Sequence, residues 1–154
     1  MVAHRIYFTV SHDAIMTVVG RVLQIKSKGE NDIINLTEQT AKAVLDSKLA
    51  DGIVTIFVVG STAAITTIEF ERGLAKDFPE MLSRVAPKEF RYEHERMWRD
   101  GNGHSHLRAS LIGPSLTVPF KNGHLILGTW QQIVLVEMDT RNRERNVVFQ
   151  VMGE

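Results

Sequence analysis

Residues 100–119 read DGNGHSHLRASLIGPSLTVP, with three glycines, two histidines and an arginine running into apolar sequence. Read as a strand over 104–112, the segment places His104, His106, Arg108 and Ser110 on one face. Ser105, Leu107, Ala109 and Leu111 then line the other, which is the core face. The two imidazoles would stand about 7 Å apart. Two chemistries fit such a face. Histidines at i and i+2 grip one divalent ion when a third ligand arrives, and His94 and Asp100 precede them. Alternatively Arg108 offers a bidentate fork to phosphate, while Gly101, Gly103 and Gly113 let backbone amides approach the anion. Taken singly, the same residues read as turns and caps: Glu69, Asp77 and Asp100 as surface acids, Trp130 and Gln131 as core packing. Concentration favours chemistry, since two His, an Arg, an Asp and an Asn fall within residues 100–108.

The elements that must position these groups follow from periodicity. Segments 5–10 and 16–26 are rich in β-branched and aromatic residues and read as strands, with 27–32 a turn. Ala41, Val44, Leu45 and Leu49 recur at helical spacing, with Thr37 as N-cap and Gly52 as stop. The apolar run 53–59 reads as a strand buried on both faces, and 61–70 as its successor, with Thr67 and Glu69 on one side. A second helix carries Leu74, Phe78, Leu82 and Val85, and Pro79 suits it only as its first residue. Residues 88–104 lack periodicity and read as a loop. Strands near 105–112, 115–119, 124–138 and 145–152 complete the chain, with 121–123 a tight hairpin turn. The result is a compact α+β single domain, mainly antiparallel sheets with two helices. Segment 129–138 is apolar on both faces, which calls for two partners: a helix layer and a second subunit.

Composition narrows the function classes. Of 154 residues, 18 are basic and 18 acidic, so no global field draws nucleic acid or an anionic membrane. The absence of cysteine excludes a disulfide framework, a thiolate metal site and a cysteine nucleophile. No apolar run reaches the length of a membrane span, and the N-terminal stretch lacks the pattern of a signal peptide. The expectation is a soluble, cytoplasmic protein.

Three quoted stretches carry a family resemblance. The run from DGNGHSHLRASLIGPSLTVP through NG and LGTWQQ to the C-terminus resembles the YjbQ family, the secondary thiamine-phosphate synthase-like proteins. GIVTIFVVGSTAAITTIE (52–69) and APKEFRYEHE (86–95) match the earlier family segments. The likeness covers roughly residues 20–154, so the chain divides into an extension or added strand at 1–20, with Met16 an alternative start, and a domain over 21–154. The resemblance implies a homotrimer and a weak thiamine-phosphate synthase activity on a small phosphorylated metabolite. That reaction joins a pyrimidine methyl diphosphate to a thiazole phosphate and requires the diphosphate to be neutralised. It also implies the site: Ser61, Thr62, Glu69, His94, Asp100, Asn102 and His106 match the polar positions of the family motifs. Many relatives have a histidine at the position of Gly60, and some one at Arg99; here His104 takes the vacant ligand place.

The expected site therefore has His94, His104 and His106 around a divalent metal, Zn or Mg. Glu69, Asp100 and His106 are the catalytic candidates. Ser61, Thr62, Asn102, Arg108, Trp130 and Gln131 bind substrate. The alternative is a metabolite- or metal-binding trimer without turnover.

Overall fold

The structure is a computed structural model that describes residues 16–154. The strand expected at 5–10 lies outside the described residues. Eight strands and four helices follow in order: β1 (Thr17–Lys26), β2 (Asp32–Asn35), α1 (Thr37–Ser47), β3 (Gly52–Val58), β4 (Ala63–Ile68), α2 (Leu74–Val85), α3 (Glu93–Trp98), α4 (Gly103–Ile112), β5 (Ser115–Lys121), β6 (His124–Leu125), β7 (Gln132–Glu137) and β8 (Glu144–Gly153). This is an α+β domain with antiparallel pairing throughout, in a five-stranded sheet ordered β1-β8-β3-β5-β6 and a three-stranded sheet ordered β2-β7-β4. β1 pairs with β8 over its whole length, from Thr17 opposite Gly153 to Lys26 opposite Glu144.

The main core lies between the two sheets. Val54, Ile56 and Val58 of β3 and Val147, Phe149 and Val151 of β8 meet Ile65 of β4 and Ile133 and Leu135 of β7. On the far side of the three-stranded sheet, Ala64, Val134, Val136 and Met138 pack on Leu82 of α2 and Ala109 of α4. Both faces of β7 are thus covered within one chain. The second subunit expected to cover this strand is not needed there; α2 and α4 do it. β3 also departs from expectation. It is buried on one face only, and Phe57 is 41% exposed on the outer side.

Four helices replace the expected two. Residues 104–112, read as a strand, lie within α4, and the loop at 88–104 contains α3 and the first residues of α4. Asn102 occupies the N-cap position of α4 and Gly113, at φ +97°, stops it. Leu, Arg and Ala within 103–112 have higher helix than strand propensity. α1 begins at Thr37, but the Thr37 hydroxyl accepts from the Ile133 N–H rather than capping the helix, and Asn35 Oδ1 accepts the Thr37 N–H. Left-handed Lys48, not Gly52, terminates it; Gly52 opens β3, where a Cβ would strike the Met152 carbonyl at 2.1 Å. α2 begins at Leu74, its first amides held by the Glu71 carboxylate, and keeps Pro79 in its interior. The hairpin turn stands as read: Asn122 and Gly123 both have positive φ between paired Lys121 and His124.

Candidate active site beside the fourth helix

Helical geometry separates the residues that a strand would have aligned. His104 and Arg108, four apart, share one side of α4, while His106 turns about 200° away from His104. The expected single face of two imidazoles and a guanidinium therefore divides into two environments.

The first opens to solvent. Glu95 of α3 accepts the Gly101 and Gly103 N–H groups at 2.7 and 2.8 Å. Arg99 and Gly101, at φ +53° and +71°, make the reversal that this requires. Gly103 permits the closure, since a Cβ there would lie 2.8 Å from Tyr92 Cβ. The fold-back lays His94 over His106, with ring centroids 4.6 Å apart and planes at 50°. His94 Nε2 is 3.3 Å from Asp100 Oδ1. With its amide nitrogen turned toward Asp100, buried Asn102 donates to both carboxylate oxygens at 3.0 and 3.2 Å and lies 3.1 Å from His94 Nε2. His106 faces a hollow of about 380 Å³ whose other walls include Gly60 and Ser61 of the β3–β4 turn, Ser110 of α4 and Pro114. A carboxylate-held imidazole against a second imidazole at a hollow's rim is an arrangement suited to moving protons.

The second environment is closed. His104, 1% exposed, has Nε2 at 3.1 Å from Glu30 Oε1, and Arg108 Nη1 donates to the same oxygen at 3.0 Å. Arg108 Nε donates to the Ala86 carbonyl at 2.9 Å, and Lys88 pairs with Glu30 Oε2 at 2.8 Å. Burial would raise the Glu30 pKa, but the Lys88 hydrogen bond and charge, with the charges facing it, hold its carboxyl below the usual range. Burial pushes the His104 pKa down, which leaves the ring neutral near pH 7 despite Glu30. Lys88 and Arg108 are then the cations that keep Glu30 ionised. Arg108 donates through Nε to Ala86 and through Nη1 to Glu30 and does not line the hollow, contrary to the strand-based expectation.

Three other expected residues gather elsewhere. Glu69, Trp130 and Gln131 line a shallow hollow of about 360 Å³ with Thr67 and Gly128. Gln131 Nε2 donates to Thr67 Oγ1 at 3.1 Å, and Trp130 is 69% exposed, so it is no core residue. Thr62 is buried beneath the β3–β4 turn, donating to Asp139 Oδ2 at 3.0 Å and accepting from Arg145 Nη2 at 2.7 Å. Arg145 also grips Glu137, which is fully buried. Glu30, Glu137, Asp139 and Arg145 were not legible as site residues. The available signal was Glu137 itself, an acid inside an otherwise apolar strand that must find a partner.

The expected metal ligands do not fit one ion as placed. His94 and His106 meet, but His104 faces Glu30, and among the described residues no three His, Cys, Asp or Glu side chains converge as a metal site.

A two-sheet antiparallel α+β domain with an imidazole-rimmed hollow beside one helix defines the class. The chain belongs to the family described as UPF0047 protein YjbQ-like, whose model matches residues 21–154. It is 36% identical over 126 residues to a UPF0047 protein of Archaeoglobus fulgidus, covering 82% of this chain and 96% of the relative. It is 32% identical to the UPF0047 protein YugU of Bacillus subtilis, over 86% of this chain and 98% of that one. Among solved structures, a YbjQ-like protein of unknown function from Sulfolobus solfataricus superposes with TM-score 0.85 at 33% identity, covering 91% of this chain and all of that one. A hypothetical protein from Aeropyrum pernix gives 0.77 at 30%, over 87% and 99%. Among the described residues, no helix is long and apolar enough to cross a membrane.

Proposed function

We propose that this protein is an enzyme acting on a small phosphorylated heterocycle, with His106 as the proton-transfer group and the His94–Asp100 pair behind it. The supporting observation is the 4.6 Å ring contact of His94 with His106 at the rim of the Gly60–Ser61 hollow, with Asp100 and Asn102 fixing His94. The family resemblance suggests the reaction: a thiazole ring nitrogen forms a bond to the methylene carbon of a pyrimidine methyl diphosphate. The carbon–oxygen bond to diphosphate breaks in the same step, and its electron pair leaves with the diphosphate. The nucleophile loses no proton, so the demand on the protein is at the leaving group. A proton passed from His106 to the departing oxygen would meet it, with Asp100 and Asn102 holding the neighbouring His94 in place. Exposed Trp130 lies in the second hollow, at the opposite end of β4 from His106, and takes no part in this step. Mg²⁺ would enter with the diphosphate rather than on a three-histidine cradle. We further propose that the chain assembles as a homotrimer in the cytoplasm.

Incubating purified protein with the two thiamine precursors, with and without Mg²⁺, tests the reading. Thiamine phosphate should form, and His106→Ala should lower its rate by about 10²-fold or more. Undiminished product in His106→Ala would assign the turnover to another site or a contaminant. Precursor binding without product would leave a binding module.

A further inference from the structure

We infer that the β3–β4 turn carries a phosphoryl-binding subsite whose guanidinium is Arg145. The inference rests on the proposed phosphorylated substrate and says where its phosphoryl group docks. Arg145 sits in β8 with its side chain 9% exposed. Its Nε and Nη2 donate to the Glu137 carboxylate at 2.7 and 2.6 Å, and Nη2 also donates to Thr62 Oγ1 at 2.7 Å. Glu137 is in turn held by Ser27 Oγ at 2.9 Å. The guanidinium is therefore locked in position, yet its third nitrogen, Nη1, meets no acceptor among the described residues.

That nitrogen is directed at Gly60. A Cβ built there would stand 2.7 Å from Nη1, and Gly60 has φ +147°, a backbone that L side chains rarely adopt. Glycine is what lets the guanidinium rise to the turn. The Gly60 and Ser61 N–H groups likewise bond to no acceptor among the described residues, and both residues are exposed at the hollow faced by His106. Two successive unbonded amides, the Ser61 hydroxyl and the unbonded Nη1 of a fixed guanidinium are gathered at this turn. A tetrahedral phosphoryl oxyanion presents oxygens to all of them. Glu137 offsets the Arg145 charge, so recognition comes from directed hydrogen bonds more than from net field. Arg108, held by Glu30 and Ala86 on the side of α4 away from this hollow, has no part in it.

Titration with inorganic phosphate, followed by calorimetry, reads this subsite without turnover. The wild-type protein should bind phosphate. Arg145→Lys, which keeps a cation for Glu137 but lacks the Nη1 donor, should weaken binding by about tenfold or more. Gly60→Ala, which leaves the Arg145–Glu137 pair intact and pushes Nη1 aside, should do the same, and it carries the test should Arg145→Lys fail to fold. No phosphate binding by wild type, or unchanged affinity in the folded variants, overturns the subsite. Phosphate binding lost in the variants while wild type forms no thiamine phosphate would sink the proposed reaction and leave the subsite standing. Thiamine phosphate formation with unchanged KM in the variants would do the reverse.

Discussion

Glu30 accepts from three side chains at once: Lys88 on one oxygen, His104 and Arg108 on the other. Removing one member of a buried ion cluster leaves the others desolvated and unpaired, which costs more than the cluster contributes over water. Glu30→Gln should therefore destabilise the fold by about 2–4 kcal/mol, read from chemical denaturation, since Arg108 is 2% exposed and keeps only the Ala86 carbonyl. Lys88→Ala, at an exposed residue, should cost no more than about 1 kcal/mol. Equal losses would mean that burial does not govern the cluster. Asp100 behaves differently because it is partly exposed and joined to His94 and Asn102 rather than to a fixed cation. Asp100→Asn should leave stability nearly intact, within about 0.5 kcal/mol. If it serves His94 in catalysis, the same change should reduce turnover far more than it raises KM.

At the scale of elements, α4 is where sequence reasoning and structure part most sharply. Strand parity and helical pitch make opposite statements about His104 and His106, and a ten-residue polar–apolar mixture satisfies either period. Asn102 before the segment and Gly113 after it were the boundary signals that favour a helix, and the absence of β-branched residues over 103–111 agreed with them. β5, the Asn122–Gly123 hairpin, β8 and the Phe78–Leu82 part of the α2 stripe were legible because local chemistry and tertiary role coincide there, whereas Val85 of that stripe is exposed. The pairing of Glu30 with α4 was not legible, since it spans 74 to 78 residues and only the folded chain reveals it. Of the candidate site, Asp100, Asn102 and His106 were visible from clustering and His94 as the histidine preceding the cluster, while their division from His104 and Arg108 was not.

The same helix carries a pH dependence. Burial lowers the His104 pKa, so on acidification the unfolded chain takes up this proton before the folded one does. Stability from this residue is complete above the unfolded value of about 6.5 and falls as pH drops below it. Glu30, whose folded pKa is also lowered, loses stability in the same direction at lower pH, below the ordinary glutamate range. Thermal midpoints should therefore fall from pH 7 to pH 5.5. In His104→Gln, where no proton is taken up, that slope should be shallower; a parallel slope would assign the acid sensitivity elsewhere.

For the whole molecule, the question is what lies against the outer face of the five-stranded sheet. Its inner face is filled by the main core, so alternation along β1, β3 and β8 sends the remaining side chains outward. Val18, Val22, Phe57 and Met152 are exposed there at 53, 62, 41 and 37%. Apolar side chains grouped on one sheet face mark an interaction surface more often than a solvated one. β7 does not require a neighbour, because α2 and α4 cover it, so the case for self-association moves from that strand to this face. Gln24, Asn146 and Gln150 share this face as exposed polar residues among the apolar ones, whereas Arg21, opposite buried Phe149, projects to the other side and pairs there with Asp46. With a net charge of zero, copies of the chain meet no long-range repulsion. Placing one charge per copy at the middle of such a face should disperse the assembly, because each association would then bury unpaired like charges. Phe57→Lys should shift the mass measured by light scattering from a trimer to a monomer while circular dichroism stays unchanged, since Phe57 packs no interior. A wild-type monomer, or a trimer that survives Phe57→Lys, would remove this face as the seat of assembly.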